Sequence, residues 1–168
     1  MILILTGPPA AGKNTVGAHI ASRLERCALI DVDLLRLMVA RSFALPWDGA
    51  EGAAQLRLSV HNAAHLARSF VGAGYRVVIL DVLTAETACA YHLLLDELDH
   101  VIVQLLPPFE EVRRRVQARA KRLSDAELRL LYGWQEALTA CDQRIDNSDR
   151  PAHLLAAQLV ASVFGSND

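Results

Sequence analysis

This sequence of 168 residues is short of cysteine, of membrane-length apolar runs and of any surplus of positive charge. Its three cysteines, Cys27, Cys89 and Cys141, are odd in number and widely spaced with no C-x-x-C. That excludes a disulfide framework and leaves no zinc or dithiol redox pattern, so reduced thiols in a cytoplasmic protein are the expectation. The apolar start from Met1 to Leu5 is too short for a signal-peptide core and lacks a basic leader. No later run reaches the roughly eighteen apolar residues of a membrane span, so a soluble protein without a membrane partner is expected. A formal net charge of −2 excludes a broad electrostatic footprint for nucleic acid, and no nucleic-acid partner is expected. Internal repeats, low-complexity tracts and interdomain linkers are missing too. With 52% apolar residues, the chain reads as one domain spanning 1–168, large enough to bury a core unaided.

What is present is concentrated first in MILILTGPPAAGKNT. An apolar run opens into GPPAAGK and then into a helical pattern, giving strand, glycine loop and helix in that order. Gly7, Gly12 and Lys13 fill the G-x-x-x-x-G-K frame of a phosphate-binding loop. Its glycines let backbone N–H groups converge on anionic oxygens, its lysine reaches the terminal phosphates, and the helix adds its positive N-terminal dipole. Gly7, Pro8, Pro9, Ala10, Ala11, Gly12, Lys13, Asn14 and Thr15 are therefore the candidate nucleotide-binding residues. One departure stands out: Asn14 occupies the place of the usual Ser or Thr, and the hydroxyl follows at Thr15. A standard magnesium ligand is missing there.

Along the chain, Val16, Ile20 and Leu24 form one stripe of a first helix. Ala28 to Ile30 read as a short buried strand, with Asp31 and Asp33 where it ends and a helix begins. In an open α/β sheet ligands bind at the carboxyl ends of strands, so both acids are substrate candidates, although Asp33 also fits a helix N-cap. Arg36 follows one turn later and faces the same pocket or makes a local ion pair. Residues 42–55 should be irregular because of Pro46, Gly49 and Gly52; here Trp47, Asp48 and Gln55 either line an acceptor pocket or anchor the loop. A helix is expected from Leu56 to Val71, whose His61 and His65 have surface or packing roles. YRVVILD is the clearest interior strand, and its terminal Asp81 can hold a magnesium water or a substrate hydroxyl. A helix near 86–98, a strand HVIVQLL stopped by Pro107 and Pro108, and an arginine-rich helix from Glu110 to Leu123 follow. In that helix Arg115, Arg119 and Arg122 fall on one face, either a solvated basic surface or a lid over a transferring phosphoryl group. A capping box at Ser124 and Glu127 opens the next helix, then RIDNSDRP turns into a final amphipathic helix. Strands alternating with helices point to a parallel sheet.

Taken together, GPPAAGKNT, IDVDLLR, GYRVVILDVL, VQLLPPFEEVRRRVQARAKRL and RIDNS resemble the P-loop small-molecule kinases, chloramphenicol phosphotransferase-like and related ATP-dependent kinases, over nearly the whole chain. The resemblance implies a three-layer α/β P-loop NTPase fold with a five-stranded parallel sheet in the order 2-3-1-4-5, ATP and Mg²⁺ as cofactors, and an arginine-bearing lid at about 113–123. It implies Asp33 as the base, with Lys13, Arg115, Arg119 and Arg122 as further catalytic residues. Asn147 with Ser148 would be the adenine-side loop. Asp31, Asp33, Arg36, Trp47 and Asp81 would meet a small-molecule hydroxyl acceptor, and Asn14 with Asp81 would serve the metal. GKNT and DLLR also look like segments of nucleoside monophosphate kinases, but the Asp31 and Asp33 pair puts negative charge where a monophosphate would bind. A non-kinase ATP-binding regulatory module and a nucleic-acid end kinase stand further off.

Overall fold

The computed structural model describes residues 1–118 and 123–165. In chain order it comprises β1 (Ile2–Thr6), α1 (Lys13–Ala21), β2 (Cys27–Asp31), α2 (Val32–Arg36), α3 (Gly49–Gly72), β3 (Arg76–Leu80) and α4 (Ala85–Leu94). There follow β4 (His100–Leu105), α5 (Phe109–Gln117), α6 (Asp125–Glu136), β5 (Gln143–Ile145) and α7 (Ala152–Leu159), which runs into a π-helical turn, Val160–Phe164. All neighbouring strands pair in parallel, as the alternation of strands and helices predicts, in the order β2-β3-β1-β4-β5 that the family resemblance implies.

Strand periodicity divides the core into two layers. Ile2 and Ile4 of β1, with Val77 and Ile79 of β3, pack under α3 and α4 against Val60, Ala64, Ala67 and Tyr91. Leu3, Leu5, Val78 and Leu80 point the other way, onto Val16 and Ile20 of α1 and Leu155 and Leu159 of α7. Each fully buried aliphatic side chain contributes about 1.5–3 kcal/mol, so the sheet is held from both sides and its carboxyl edge is fixed. A third cluster joins Ala10 of the phosphate loop to Val112 and Val116 of α5 and to Leu128 and Tyr132 of α6. Beneath the loop a polar network ties β1, β4, β5 and α6. Thr6 Oγ1 and Gln104 Nε2 donate to Gln135 Oε1, Gln135 Nε2 donates to the Leu83 carbonyl, and Arg144 Nε donates to Gln104 Oε1.

The helices expected near 86–98 and from Glu110 to Leu123 end early, at Leu94 and Gln117, and two further differences bear on the site. Residues 49–55 are helical, because α3 starts at Gly49. The predicted irregularity is confined to the stretch before it, where the glycines act by position. Gly49 takes φ +63° at the helix start, and a Cβ on Gly52 would lie 1.9 Å from the Leu45 carbonyl oxygen. The loop is then fastened: Ala44 N donates to Gln55 Oε1 at 2.9 Å, Gln55 Nε2 donates to the Ser42 carbonyl at 2.7 Å, and Leu45 N donates to Asp48 Oδ2 at 2.8 Å. Gln55 and Asp48 are loop anchors. The second difference is at the β2–α2 junction, where Asp31 caps the helix by accepting from Asp33 N at 3.1 Å. The cap is therefore Asp31, and Asp33 lies inside the first turn. The capping box of α6 forms as predicted, and His61 and His65 are exposed. No described helix is long and apolar enough to cross a membrane.

Candidate active site

The phosphate loop leaves β1 and closes on the N-terminus of α1. Gly7 is needed for space as well as for its φ of +154°: a Cβ there would sit 2.4 Å from the Leu105 carbonyl oxygen of β4. Gly12 takes φ +102° at the N-cap of α1, and Ala10, between them, holds φ +63°. A left-handed alanine costs about 1–2 kcal/mol, offset here because its methyl group is buried against α5 and α6. Lys13 is buried and arches back over the loop, its Nζ donating to the carbonyls of Gly7 at 2.8 Å and Pro8 at 3.2 Å. These contacts hold the ammonium at the mouth of the loop, where α1 presents its unpaired N–H groups and positive dipole to an anion.

Two hollows flank that mouth. On one side a cavity of about 390 Å³ is lined by Ala10, Gly12, Thr15, Arg114, Arg115, Asn147 and Arg150. Asn147 is buried, its Nδ2 donates to the Ala11 carbonyl at 2.8 Å, and its Oδ1 is buried with no partner among the described residues. Arg115 lies here too. Its Nε donates to Glu111 Oε1 at 2.6 Å, and its Nη atoms donate to the carbonyls of Ala11 at 3.4 Å, Ser148 at 3.3 Å and Asn147 at 3.5 Å. Arg114 shares Glu111, and the two guanidinium groups pull that carboxyl down to about 2. Arg115 thus clasps the phosphate loop to the turn after β5 and does not line the hollow directly above Lys13. Arg119 and Arg122 fall outside the described residues.

On the other side a cavity of about 460 Å³ brings together Asp33, Arg36, Trp47 and Asp81, four of the five acceptor candidates. Asp31 is not among its lining residues. Its carboxylate is occupied by Asp33 N and by Asn14 Nδ2, which donates to Asp31 Oδ2 at 2.8 Å. Arg36 is held in the wall, with Nη2 reaching the Ala44 carbonyl at 3.5 Å and the guanidinium 5.8 Å from the Phe43 ring centre. Asp81 accepts from Val82 N at 2.7 Å and from the buried Tyr91 hydroxyl at 3.0 Å. Burial nevertheless raises its carboxyl from 3.8 to about 6, with Asp33 adding to the rise and Lys13 opposing it. The Tyr91 hydroxyl, buried against that carboxylate, is raised well above its ordinary value.

For a magnesium ion the donor chemistry fits. Asn14 commits its amide nitrogen to Asp31, which turns its oxygen into the role of a hard-cation ligand, and Asp81 ends the strand across the mouth. Among the described residues no three His, Cys, Asp or Glu side chains form a metal cage, which suits an ion carried chiefly by phosphate oxygens and water.

Sequence reasoning missed Trp134, which lies 6.3 Å from Trp47 between ring centres, together with Phe43, Leu131, Tyr91, Arg114 and Arg150. Trp134 was traceable, since it follows Leu131 by three positions along the helix expected from Ser124 onward.

Residues 2–140 match a family described as an AAA domain. No curated protein matches the chain. Among solved structures, the APS kinase of Mycobacterium tuberculosis in complex with AMPPNP and APS shares 17% identity at a TM-score of 0.75, over 98% of this chain and 97% of that one. Shikimate kinase from Acinetobacter baumannii in complex with shikimate shares 21% identity at a TM-score of 0.67, over 99% and 94%. The tunicamycin resistance protein of Deinococcus radiodurans shares 15% identity at a TM-score of 0.69, over 96% and 94%. At such identities the likeness establishes the fold, which is that of these kinases.

Proposed function

The chain belongs to the AAA domain family, and from that premise we propose that it is an ATP-dependent kinase that transfers the γ-phosphoryl group to a hydroxyl of a small molecule. The observation that carries this reading is the placement of Lys13 and the phosphate loop between two hollows. One is suited to a nucleoside and the other is lined by two carboxylates. Asn147 Oδ1, a buried acceptor in need of a donor, fits the exocyclic amine of adenine. The loop and Lys13 hold the phosphates, and Asp33 orients the acceptor hydroxyl and takes its proton. The hydroxyl oxygen forms a bond to the γ-phosphorus as the bond to the bridging oxygen breaks, and ADP leaves with that electron pair. Bound Mg²⁺ supplies charge neutralisation at the phosphate oxygens; Asn14 Oδ1 and Asp81 are the residues to hold it or its waters. Arg115 braces the nucleoside side, which leaves Arg119 and Arg122 as the lid candidates.

Lys13→Ala should abolish binding of a fluorescent ATP analogue. Asp33→Asn should retain that binding and lower kcat by about 10²–10⁴-fold, read as ADP release with the phosphorylated product followed by mass spectrometry. Unchanged product formation in Asp33→Asn removes it as the base. Arg36 reaches the Ala44 carbonyl with one nitrogen, while its Nε is buried without a partner among the described residues; the two acids beside it count against a monophosphate acceptor. Stimulation by a nucleoside monophosphate alone, with loss on Arg36→Ala, would reverse that choice.

A further inference from the structure

Tyr91 lies about two turns into α4 and is fully buried. The other buried members of its core layer, Ile4, Val60, Ala64, Ile79 and Leu95 among them, carry hydrocarbon side chains. A phenylalanine ring would fill the same space, and a phenol taken out of water costs free energy unless its hydroxyl is bonded. Among the described residues the Tyr91 hydroxyl donates to one atom, Asp81 Oδ2, at 3.0 Å. The hydroxyl therefore serves Asp81 and not the packing of the layer.

Asp81 directly follows β3 and is itself held against its chemistry. Burial raises its carboxyl to about 6, so an ionised acid there opposes folding at neutral pH. Its neighbour Val82 lines both the acceptor hollow and the hollow above Lys13, and Asp33 and Lys13 both act on its charge, with opposite signs. Ionisable groups perturbed by burial in this way cluster at functional sites.

The two hydrogen bonds on this carboxylate come from different elements. Val82 N donates to Oδ1 at 2.7 Å from the turn after β3, and the Tyr91 hydroxyl donates to Oδ2 from α4. One donor would leave the group free to roll, whereas two donors on opposite oxygens fix its plane. Each oxygen accepts one bond and keeps a further lone pair for a ligand. The turn that carries the group is pinned separately, because Leu83 N donates to Thr6 Oγ1 at 3.0 Å and the Leu83 carbonyl accepts from Gln135 Nε2 at 2.7 Å. The main chain stays in place without Tyr91; the carboxylate does not.

We propose that Tyr91 is a positioning residue whose hydroxyl, reaching out of the core layer beneath α3 and α4, orients the Asp81 carboxylate that holds Mg²⁺ or its waters beside the nucleotide phosphates. This rests on the role given to Asp81 in the kinase reading, but it is read from nucleotide binding and needs no phosphoryl transfer.

The experiment measures the affinity of a fluorescent, non-hydrolysable ATP analogue in EDTA and in saturating Mg²⁺, below the thermal midpoint of every protein used. The parent, Tyr91→Phe, Asp81→Asn and the double variant are compared. The ratio of the two affinities is the gain from the metal, and by linkage it reports the metal's contacts with the protein. Tyr91→Phe should leave the affinity in EDTA unchanged, which also shows that the fold is intact, and should lower the gain about tenfold, the scale of a lost outer contact to a metal. Asp81→Asn should lower it at least as far, and Tyr91→Phe should add nothing in that background. An unchanged gain in Tyr91→Phe, equal losses with and without Mg²⁺, or the same further drop on top of Asp81→Asn would each overturn the proposal. A parent protein with no gain from Mg²⁺ removes the metal role of Asp81 and this proposal with it. A parent that gains from Mg²⁺ yet phosphorylates no hydroxyl compound refutes the kinase reading and leaves the role of Tyr91 standing.

Discussion

Asp81→Asn should gain stability relative to the parent protein as pH rises. The carboxyl group is 7% exposed, and its two hydrogen bonds, from Val82 N and the Tyr91 hydroxyl, do not offset what it loses in hydration, so it is raised from 3.8 to about 6. The sign follows from which state binds the proton more tightly. Below about 4 the group is neutral folded and unfolded, and it costs nothing. As pH rises through about 6 the folded protein must ionise a buried acid that the unfolded chain ionises freely, and that stability is lost. At about 1.4 kcal/mol per pH unit, the gap between 3.8 and about 6 amounts to roughly 3 kcal/mol at pH 7.5. An asparagine keeps the bond from Val82 N, but with its amide nitrogen at the Tyr91 oxygen the buried Tyr91 O–H loses its acceptor, a cost of about 1–3 kcal/mol that does not vary with pH. For a chain of this length that ionisation cost corresponds to a shift of about 6–12 °C in the difference between the two midpoints from low to neutral pH. Thermal unfolding of both proteins from pH 4 to pH 8 is the assay, and the difference between them is the quantity to follow, since other titrating groups cancel in it. It should move in the variant's favour by roughly 2–3 kcal/mol between pH 4 and pH 7.5. Parallel curves would refute the reasoning.

Gly52→Ala should damage the acceptor side selectively. Its methyl would lie 1.9 Å from the Leu45 carbonyl oxygen, so the loop bearing Phe43, Leu45 and Trp47 must move, at a cost of about 1–3 kcal/mol. Acceptor KM should rise while affinity for an ATP analogue holds; equal loss of both would show that the loop is not an independent part. Asn14→Ala removes both the tether to Asp31 and the amide oxygen, and should raise the Mg²⁺ concentration for half-maximal turnover about tenfold. Asn14→Thr should restore it, and an unchanged Mg²⁺ titration in Asn14→Ala would exclude Asn14 from the metal's surroundings.

The parts of the fold that were legible in the sequence are those fixed by local pattern. β1, β3 and β4 announce themselves as apolar runs ending in a polar residue or proline, whereas the strand order came from the family resemblance and not from any local pattern. The cap at Ser124 was visible because both its partners lie within four residues. What escaped depends on contacts between distant residues. Nothing local says that Asn14 and Asp31 bond across seventeen positions, or that Gln55 fastens the carbonyl of Ser42. The helical start of α3 was hidden because Gly49 and Gly52 read as breakers, whereas one supplies a positive φ and the other a close approach. Arg115 was placed on a lid by its spacing, yet its guanidinium is taken by Glu111 and three main-chain carbonyls.

Asn14 also joins the two halves of the site. A hydroxyl at this position would offer one hydrogen to a neighbouring acid and its lone pairs to a cation from the same oxygen. An amide divides those tasks between two atoms. Its nitrogen is committed to Asp31, and Asp31 in turn caps α2, the short helix that carries Asp33 and Arg36 into the acceptor hollow. The phosphate loop is thereby bonded, through one side chain, to the start of the helix that presents the candidate base. A cation drawn to the amide oxygen would polarise the N–H groups that Asp31 receives and tighten that bond. The amide in place of the usual hydroxyl thus adds a fixed link from the phosphate loop to the helix opposite.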